Sequence, residues 1–223
     1  MKLIRKELKK IFLENEITKK YSINLIEDCV DFQLDIDYLS IQFDFRLQFD
    51  SLLTLQTFTI SLKEFESKFK HLIISSLNSY YEEFILVNPR KFYPTDHSFS
   101  KDIQSKEELD EFLSDFYLCL NFYETEIFPK LTDIRFLADY VGSVPFENAL
   151  EIVVGGTYPV TFFKKLAILK WGNHPRYEEY KQGLATFIEE DFLDPKYQQE
   201  APSYKKGFEK LIYHLENEPN PFL

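Results

Sequence analysis

The chain has 223 residues, of which 28% are charged and 44% hydrophobic, and its formal net charge is −11. A chain of this length buries roughly 70% of its unfolded surface, so it needs no disulfide framework or structural metal to hold a core. The acidic balance argues against nucleic acid as a partner, because affinity for nucleic acid comes largely from Lys and Arg that neutralise phosphates. Residues 1–20 carry a local balance of +4, so the remainder of the chain carries −15.

Cysteine usage and hydropathy indicate the compartment. Cys29 and Cys119 are the only two cysteines, which is too few for a disulfide framework and typical of a reducing environment. No segment approaches the ~18 consecutive apolar residues of a membrane span. Charged residues interrupt the apolar positions at the N-terminus, unlike in a secretory signal. We therefore expect a cytoplasmic protein with no membrane partner.

The first 62 residues change from helical to strand periodicity. Leu8, Ile11 and Phe12 lie on one face of an amphipathic N-terminal helix. From residue 31 onward, apolar and polar residues alternate in two segments, around Phe32–Ile36 and Ile41–Phe49. Such alternation predicts antiparallel strands with one buried and one polar face. Further strands are expected at Phe58–Leu62 and near Tyr21–Leu25.

The remainder of the chain favours helices. Apolar residues from Phe65 to Phe84 follow helical spacing, whereas residues 88–104 contain two prolines and are predicted to form a long loop. Ser105 and Glu108 form a predicted capping box at the start of the next helix. Pro and Gly residues then punctuate several shorter helices. The sequence thus predicts one α+β domain over 1–223. It comprises an N-terminal helix, an antiparallel sheet of about three to four strands, and a helical C-terminal half packed on the sheet.

Motifs for catalysis, metals and cofactors are missing from the sequence. Gly155–Gly156 is the only glycine pair, and no phosphate-binding fingerprint or Gly-x-Ser-x-Gly elbow surrounds it. The four histidines lack the spacing of zinc or di-iron motifs. We therefore predict no catalytic residues, no metal site and no cofactor.

Acidic residues are the candidate partner-binding residues. Several carboxylates occupy the polar positions of the two predicted strands and would share one surface if these strands pair as a hairpin. Like charges directly opposite each other destabilise a sheet, which a protein tolerates where the surface meets a cationic partner. A second cluster lies at a predicted helix end. The candidate residues are Asp31, Asp35, Asp37, Asp44, Asp50, Glu189, Glu190 and Asp191.

Two segments resemble a group of small uncharacterised bacterial α+β proteins, some of which are regarded as immunity proteins of polymorphic toxin systems. These segments are Leu109–Pro129, ending in FYETEIFP, and Trp171–Tyr180, with the sequence WGNHPRYEEY. The resemblance covers about the C-terminal half of the chain. It implies a non-enzymatic inhibitor that binds one cognate toxin, and it brings no residue-level motif from which site residues could be transferred.

Three functions remain open at this point. The leading hypothesis is an acidic immunity-type inhibitor that binds a basic toxin domain, because electrostatic complementarity speeds association. The alternative is a hydrolase-type enzyme whose carboxylate site is assembled from scattered residues, which requires a pocket with convergent acids. A third is a scaffold or oligomer subunit that associates through exposed aromatic residues.

Overall fold

The computed structural model describes residue 8 and residues 10–26, 29–48, 51–93 and 99–223. The chain divides into two compact units. The first unit comprises residues 1–61 and 86–129, and the second comprises residues 62–85 and 130–223. Whether the whole chain behaves as one domain stays a prediction.

The first unit is built on an antiparallel sheet, and helices follow it in sequence. The strands are β1 (Ser22–Ile26), β2 (Cys29–Ile36), β3 (Leu39–Gln48), β4 (Leu52–Leu55), β5 (Phe58–Leu62), β6 (Ile85–Val87) and β7 (Ser100–Asp102). The helices are α1 (described at residues 8 and 10–14), α2 (Lys63–Lys70), α3 (Lys106–Phe122), α4 (Phe128–Leu131), α5 (Ile134–Val141), α6 (Val160–Trp171), α7 (Tyr177–Asp191) and α8 (Ala201–Asn217). Short 3-10 helices lie at Ser75–Tyr80 and Phe146–Glu151, and a π-helical turn lies at Tyr123–Ile127. Within the described part of the chain, no helix has both the length and the apolar composition that crossing a bilayer requires.

The predicted α+β class and antiparallel sheet are confirmed, but the predicted sheet size is wrong. The sheet has seven strands in the order β1-β2-β3-β4-β7, and β5 pairs with β3 and β6. The strands that the sequence did not reveal, β4, β6 and β7, have only three or four residues. Such short segments show too little alternation to be recognised. Because Ser100–Asp102 is β7, the predicted loop 88–104 ends earlier than expected.

The pairing of β2 with β3 determines which side chains face the core. Phe32 lies directly opposite Phe43, and Asp31 lies directly opposite Asp44. Because successive side chains of a strand point to opposite faces, this register places the phenylalanines on one side and the carboxylates on the other. The two alternating segments therefore pair as a hairpin, which is the condition for their carboxylates to share one surface.

A cluster of aromatic rings covers the apolar face of the sheet. The Phe32 and Phe43 rings stack with their centroids 4.7 Å apart. Phe45 contacts Phe12 of α1 at 5.3 Å and Phe116 of α3 at 4.6 Å. Such pairs contribute roughly 0.5–1.5 kcal/mol each beyond the area that they bury. The cover of this face within the first unit thus comes from α1 and α3.

Helix α3 begins where the sequence predicts. The Ser105 side chain accepts a hydrogen bond from the backbone N–H of Glu108, and the Glu108 carboxylate accepts one from the backbone of Ser105. The helices after residue 130 pack among themselves and with residues 62–85 in the second unit. The prediction that the helical C-terminal half packs on the sheet is therefore only partly right.

The second unit is organised around α6, which is buried on all sides. Every residue of α6 except Lys170 is buried, including Lys164 and Lys165. A helix without a polar face belongs in the interior of a fold. The two lysines therefore need partners inside the unit.

Lys164 forms a buried ion pair with Glu66 of α2. The Lys164 Nζ lies 2.5 Å from Glu66 Oε1, and the two side chains are 0% and 3% exposed. The Tyr81 hydroxyl donates to Glu66 Oε2 at 2.8 Å. Lys164 also donates to the carbonyl oxygens of Glu82 and Phe84, at 3.0 and 3.2 Å. Burial raises the pKa of Glu66 and lowers that of Lys164, and the opposite charge of each partner counteracts the shift.

The prediction of a helix that continues through Phe84 is wrong, and the backbone contacts around residues 84 and 85 show why. Helix α2 ends at Lys70, and residue 85 instead pairs with Val154 as an isolated antiparallel bridge. The Gly155 N–H donates to the Phe84 carbonyl at 2.5 Å, and a Cβ at Gly155 would lie 2.4 Å from the Glu82 carbonyl oxygen. The glycine thus permits a close backbone approach.

Lys165 is buried beside the carbonyl oxygen of Ala149, to which its Nζ donates. Burial lowers the pKa of Lys165 to about 8, whereas a lysine side chain of the unfolded chain has a pKa of about 10.4. Between these two values the unfolded chain binds more protons than the native protein. The contribution of Lys165 to stability therefore increases as the pH rises through this window.

Removal of Lys164 tests the importance of the buried pair. We expect Lys164→Met to lower the free energy of unfolding by roughly 3–5 kcal/mol, because it leaves the Glu66 carboxylate buried without its counter-ion. Urea unfolding measures this loss. The double variant Glu66→Leu/Lys164→Met should recover part of it. The matched control is Lys70→Met, which breaks the exposed Lys70–Glu83 pair and should cost less than about 1 kcal/mol. Equal losses in the two single variants would contradict the assignment.

Lys165→Met tests the pH dependence. The unfolding free energy of the native chain, relative to that of the variant, should rise by up to roughly 3 kcal/mol between about pH 7.5 and 10.5. Urea titrations of both proteins at several pH values measure this difference, since all other titrating groups are shared. Parallel pH profiles would refute the depressed pKa.

Candidate functional site

The β2–β3 hairpin brings together three of the predicted site residues. Asp31, Asp35 and Asp44 lie on the face opposite the phenylalanines. Asp37 is exposed in the turn between the two strands. Asp50 lies outside the described residues. We call the surface formed by Asp31, Asp35, Asp37 and Asp44 the acidic sheet face.

Polar neighbours orient these carboxylates. Gln42 donates to Asp31 at 3.0 Å, and the Ser40 hydroxyl donates to Asp35 at 2.7 Å. The Arg46 Nε lies 3.1 Å from Asp44 and compensates part of the charge of the face. Gln42 and Arg46 are themselves exposed. Asp35 and Asp37 are exposed, whereas Asp31 and Asp44 are half-buried. The acidic sheet face is therefore partly open to solvent and, counted over its described residues, carries more negative than positive charge.

Cys29 lies at the edge of this face but is not poised as a nucleophile. Its thiol donates to Asp44 Oδ2 at 3.3 Å. Burial and the adjacent carboxylates raise the pKa of the Cys29 thiol to about 12. Since the thiolate is the reactive form, Cys29 remains a weak hydrogen-bond donor at neutral pH.

The second predicted cluster separates into two environments in the second unit. Glu189 pairs with Lys205 at 2.8 Å. Asp191 is buried and accepts a hydrogen bond from the Tyr158 hydroxyl. Burial raises the pKa of Asp191, and the neighbouring carboxylates act in the same direction, whereas the Tyr158 hydrogen bond opposes them. Glu190 and Asp191 face a cavity, and Glu189 does not line it.

This cavity, which we call the acidic aromatic cavity, has a volume of about 290 Å³. Its lining consists of three carboxylates and three aromatic rings: Tyr158, Phe187, Glu190, Asp191, Asp194 and Tyr197. Sequence reasoning missed the aromatic members. The acidic run from 189 to 194 marks one wall, but nothing in the sequence connects it with Tyr158, which precedes Asp191 by 33 residues.

A wider cavity of about 820 Å³ lies beside α6 and α8 in the second unit. Its acids include Asp139, Glu216 and Glu218. Lys181 lies 2.6 Å from Glu216 and lowers its pKa. Glu218 pairs with His214 at 2.5 Å. Acid–base catalysis by two carboxylates needs environments that push their pKa values apart, and these acids are instead paired with bases.

His174 is a second histidine close to an acid of this cavity. Its Nε2 lies 4.0 Å from Asp139 Oδ1, and burial lowers the pKa of the imidazole. Its other nitrogen, Nδ1, accepts the backbone N–H of Arg176 at 3.2 Å. Among the residues that the structure describes, no group of three or more His, Cys, Asp or Glu residues could hold a metal ion.

Comparison with known proteins identifies no relative of this chain. No protein-family model, no curated protein and no solved structure matches it.

Proposed function

We propose that this chain is a non-enzymatic binding protein of the cytoplasm that captures a basic protein through the acidic sheet face. The most concrete form of this proposal is an immunity-type inhibitor of a basic toxin domain. The observation that carries it is the placement of Asp31 directly opposite Asp44 on the polar face of the sheet, where both are half-buried and the neighbouring Asp35 and Asp37 are exposed.

The energetics of this pair support a binding role. Like charges directly opposite each other in an antiparallel ladder are destabilising, on the scale of roughly 0.2–1 kcal/mol per cross-strand pair. A basic partner removes that repulsion on binding and gains attraction from the net charge of −11. Complementary charges of this kind accelerate encounter and suppress the wrong partners.

The described acids favour binding over catalysis. A hydrolase site assembled from scattered carboxylates, the alternative function, requires an acid with a raised pKa in a pocket. Two described acids have a raised pKa: Glu66 lies buried in an ion pair, and the Asp191 carboxylate, which lines the acidic aromatic cavity, accepts the Tyr158 hydroxyl. The acids of the 820 Å³ cavity lie beside bases. The acidic sheet face, in contrast, includes the exposed Asp35 and Asp37 and the half-buried Asp31 and Asp44.

Neutralisation of one carboxylate tests how much the repulsion on the acidic sheet face lowers the stability of the fold. We expect Asp31→Asn to raise the free energy of unfolding by about 0.2–1 kcal/mol at low salt, because the Asp31–Asp44 repulsion disappears. The gain should shrink as salt screens the pair. Urea unfolding at two ionic strengths measures both effects. A loss of stability that is independent of salt would show that Asp31 serves the fold instead.

The partner itself is tested by capture and rescue. Affinity capture from the native host at about 50 mM salt should retrieve a basic protein, and capture should fail at about 500 mM salt because surface charges are screened. The variant Asp31→Asn/Asp35→Asn/Asp44→Asn should lose at least about tenfold in affinity, or about 1.4 kcal/mol. Expression of the captured protein alone should inhibit growth, and co-expression of the native chain should relieve the inhibition.

A matched control separates the acidic sheet face from overall charge. The variant Asp110→Asn/Glu151→Gln/Glu209→Gln neutralises three exposed acids of helical segments and should retain both capture and rescue. If it loses binding as strongly as the sheet-face variant, net charge rather than this face is responsible. If the variant Asp31→Asn/Asp35→Asn/Asp44→Asn binds the partner as tightly as the native chain, the proposal is wrong.

A further inference from the structure

The acidic aromatic cavity combines two features that recognise cations. The Tyr158 and Tyr197 ring centroids lie 6.0 Å apart with an interplanar angle of 56°. Phe187 is 42% exposed, although its ring is supported from behind by Phe146 at 5.0 Å. Aromatic faces attract cations placed within about 6 Å of the ring centroid. The Lys196 Nζ, 4.6 Å from the Tyr197 centroid, illustrates this attraction at the rim.

The carboxylates of the cavity lack the compensation that neighbouring acids have. Glu189 pairs with Lys205, and Glu179 pairs with Arg176. In the described part of the chain, by contrast, no Lys or Arg nitrogen lies within ion-pair distance of Glu190, Asp191 or Asp194. The first two of these acids also end α7, where the helix dipole is already negative.

This arrangement leaves a local electrostatic cost that a bound cation would relieve. Asp191 is only 7% exposed, so its charge is poorly solvated. One of its oxygens accepts the Tyr158 hydroxyl, and Asp194 uses Oδ1 to accept the backbone N–H of Lys196 at 2.8 Å. These hydrogen bonds fix the carboxylates in position but supply no full positive charge.

The size and shape of the cavity narrow the class of ligand. Its volume of about 290 Å³ lies at the lower end of the roughly 300–1,000 Å³ of small-molecule sites. A single side chain therefore suits it better than a cofactor does. The guanidinium group stacks on aromatic rings, pairs bidentately with carboxylates, and is more weakly hydrated than an ammonium group.

We propose that the acidic aromatic cavity binds the guanidinium group of an arginine side chain presented by a protein partner. Phe187 and the two tyrosines contact the planar group, and Glu190 and Asp194 accept its hydrogen bonds. The inference rests on the proposed function only in that a protein supplies the arginine. The acidic sheet face has no part in it, so the two proposals can fail separately.

Short blocked peptides provide the test with the full-length chain. The probe is acetyl-Gly-Arg-Gly-amide, and its matched controls carry citrulline, lysine or trimethyl-lysine in place of arginine. Titration followed by NMR at low salt should give an affinity for the arginine peptide at least about tenfold above that for the citrulline peptide. Citrulline nearly keeps the shape of arginine but replaces one NH2 group with a carbonyl oxygen, so it loses the charge and two N–H donors.

Variants of the chain locate the binding site. Glu190→Gln and Asp194→Asn should each weaken binding of the arginine peptide by about threefold to tenfold, and Phe187→Ala should weaken it several-fold. Glu189→Gln, which removes an adjacent acid outside the cavity, should leave the affinity unchanged. Circular dichroism of each variant establishes that it is folded.

Three results would overturn the inference. Equal affinities for the arginine and citrulline peptides would remove the role of charge. Tighter binding of the lysine or trimethyl-lysine peptide would assign the cavity to an ammonium group. An equal loss in Glu189→Gln and Asp194→Asn would reduce the effect to the general negative field of the surface.

Discussion

The register of the β2–β3 ladder is the constraint on which the first unit and its proposed function both depend. It places Phe32 opposite Phe43 and Asp31 opposite Asp44. A slip by one residue would move every phenylalanine of one strand into water and every carboxylate into the core. The aromatic stack that holds the register therefore also holds the carboxylates close together on the outer face. The stability of the core is what allows the surface to tolerate its like charges.

In the second unit, the main constraint is that the central helix α6 buries two lysines in the interior. Lys164 is satisfied by Glu66 and by two backbone carbonyls, and Lys165 by a carbonyl of the 3-10 helix. Burial of an ion pair contributes little net stability compared with apolar packing, but loss of one partner is costly. The pair thus ties α2 and the segment around Glu82 to α6 in one arrangement.

The two proposed binding surfaces both consist of carboxylates that neighbouring hydrogen-bond donors hold close together. In the acidic sheet face, carboxylates are oriented by Gln42, Ser40 and Arg46 and keep part of their surface in solvent. In the acidic aromatic cavity, they are oriented by a tyrosine hydroxyl and a backbone N–H, and among the described residues no Lys or Arg forms an ion pair with them. Each surface retains electrostatic repulsion that a cationic group would relieve. Preorganised carboxylates of this kind suit the recognition of a cationic group.

The sequence by itself determined the features that depend on local periodicity. These include the α+β class, the β2–β3 hairpin with its acidic outer face, and the capping box at Ser105. Strand alternation and caps are encoded within a few residues, so they can be read directly. Only the tertiary structure decided the short strands, the end of α2 at Lys70, the burial of Lys164 and Lys165, and the meeting of Tyr158 with Asp191. Each of these depends on contacts between residues far apart in the chain, and such contacts override local helical or surface preferences.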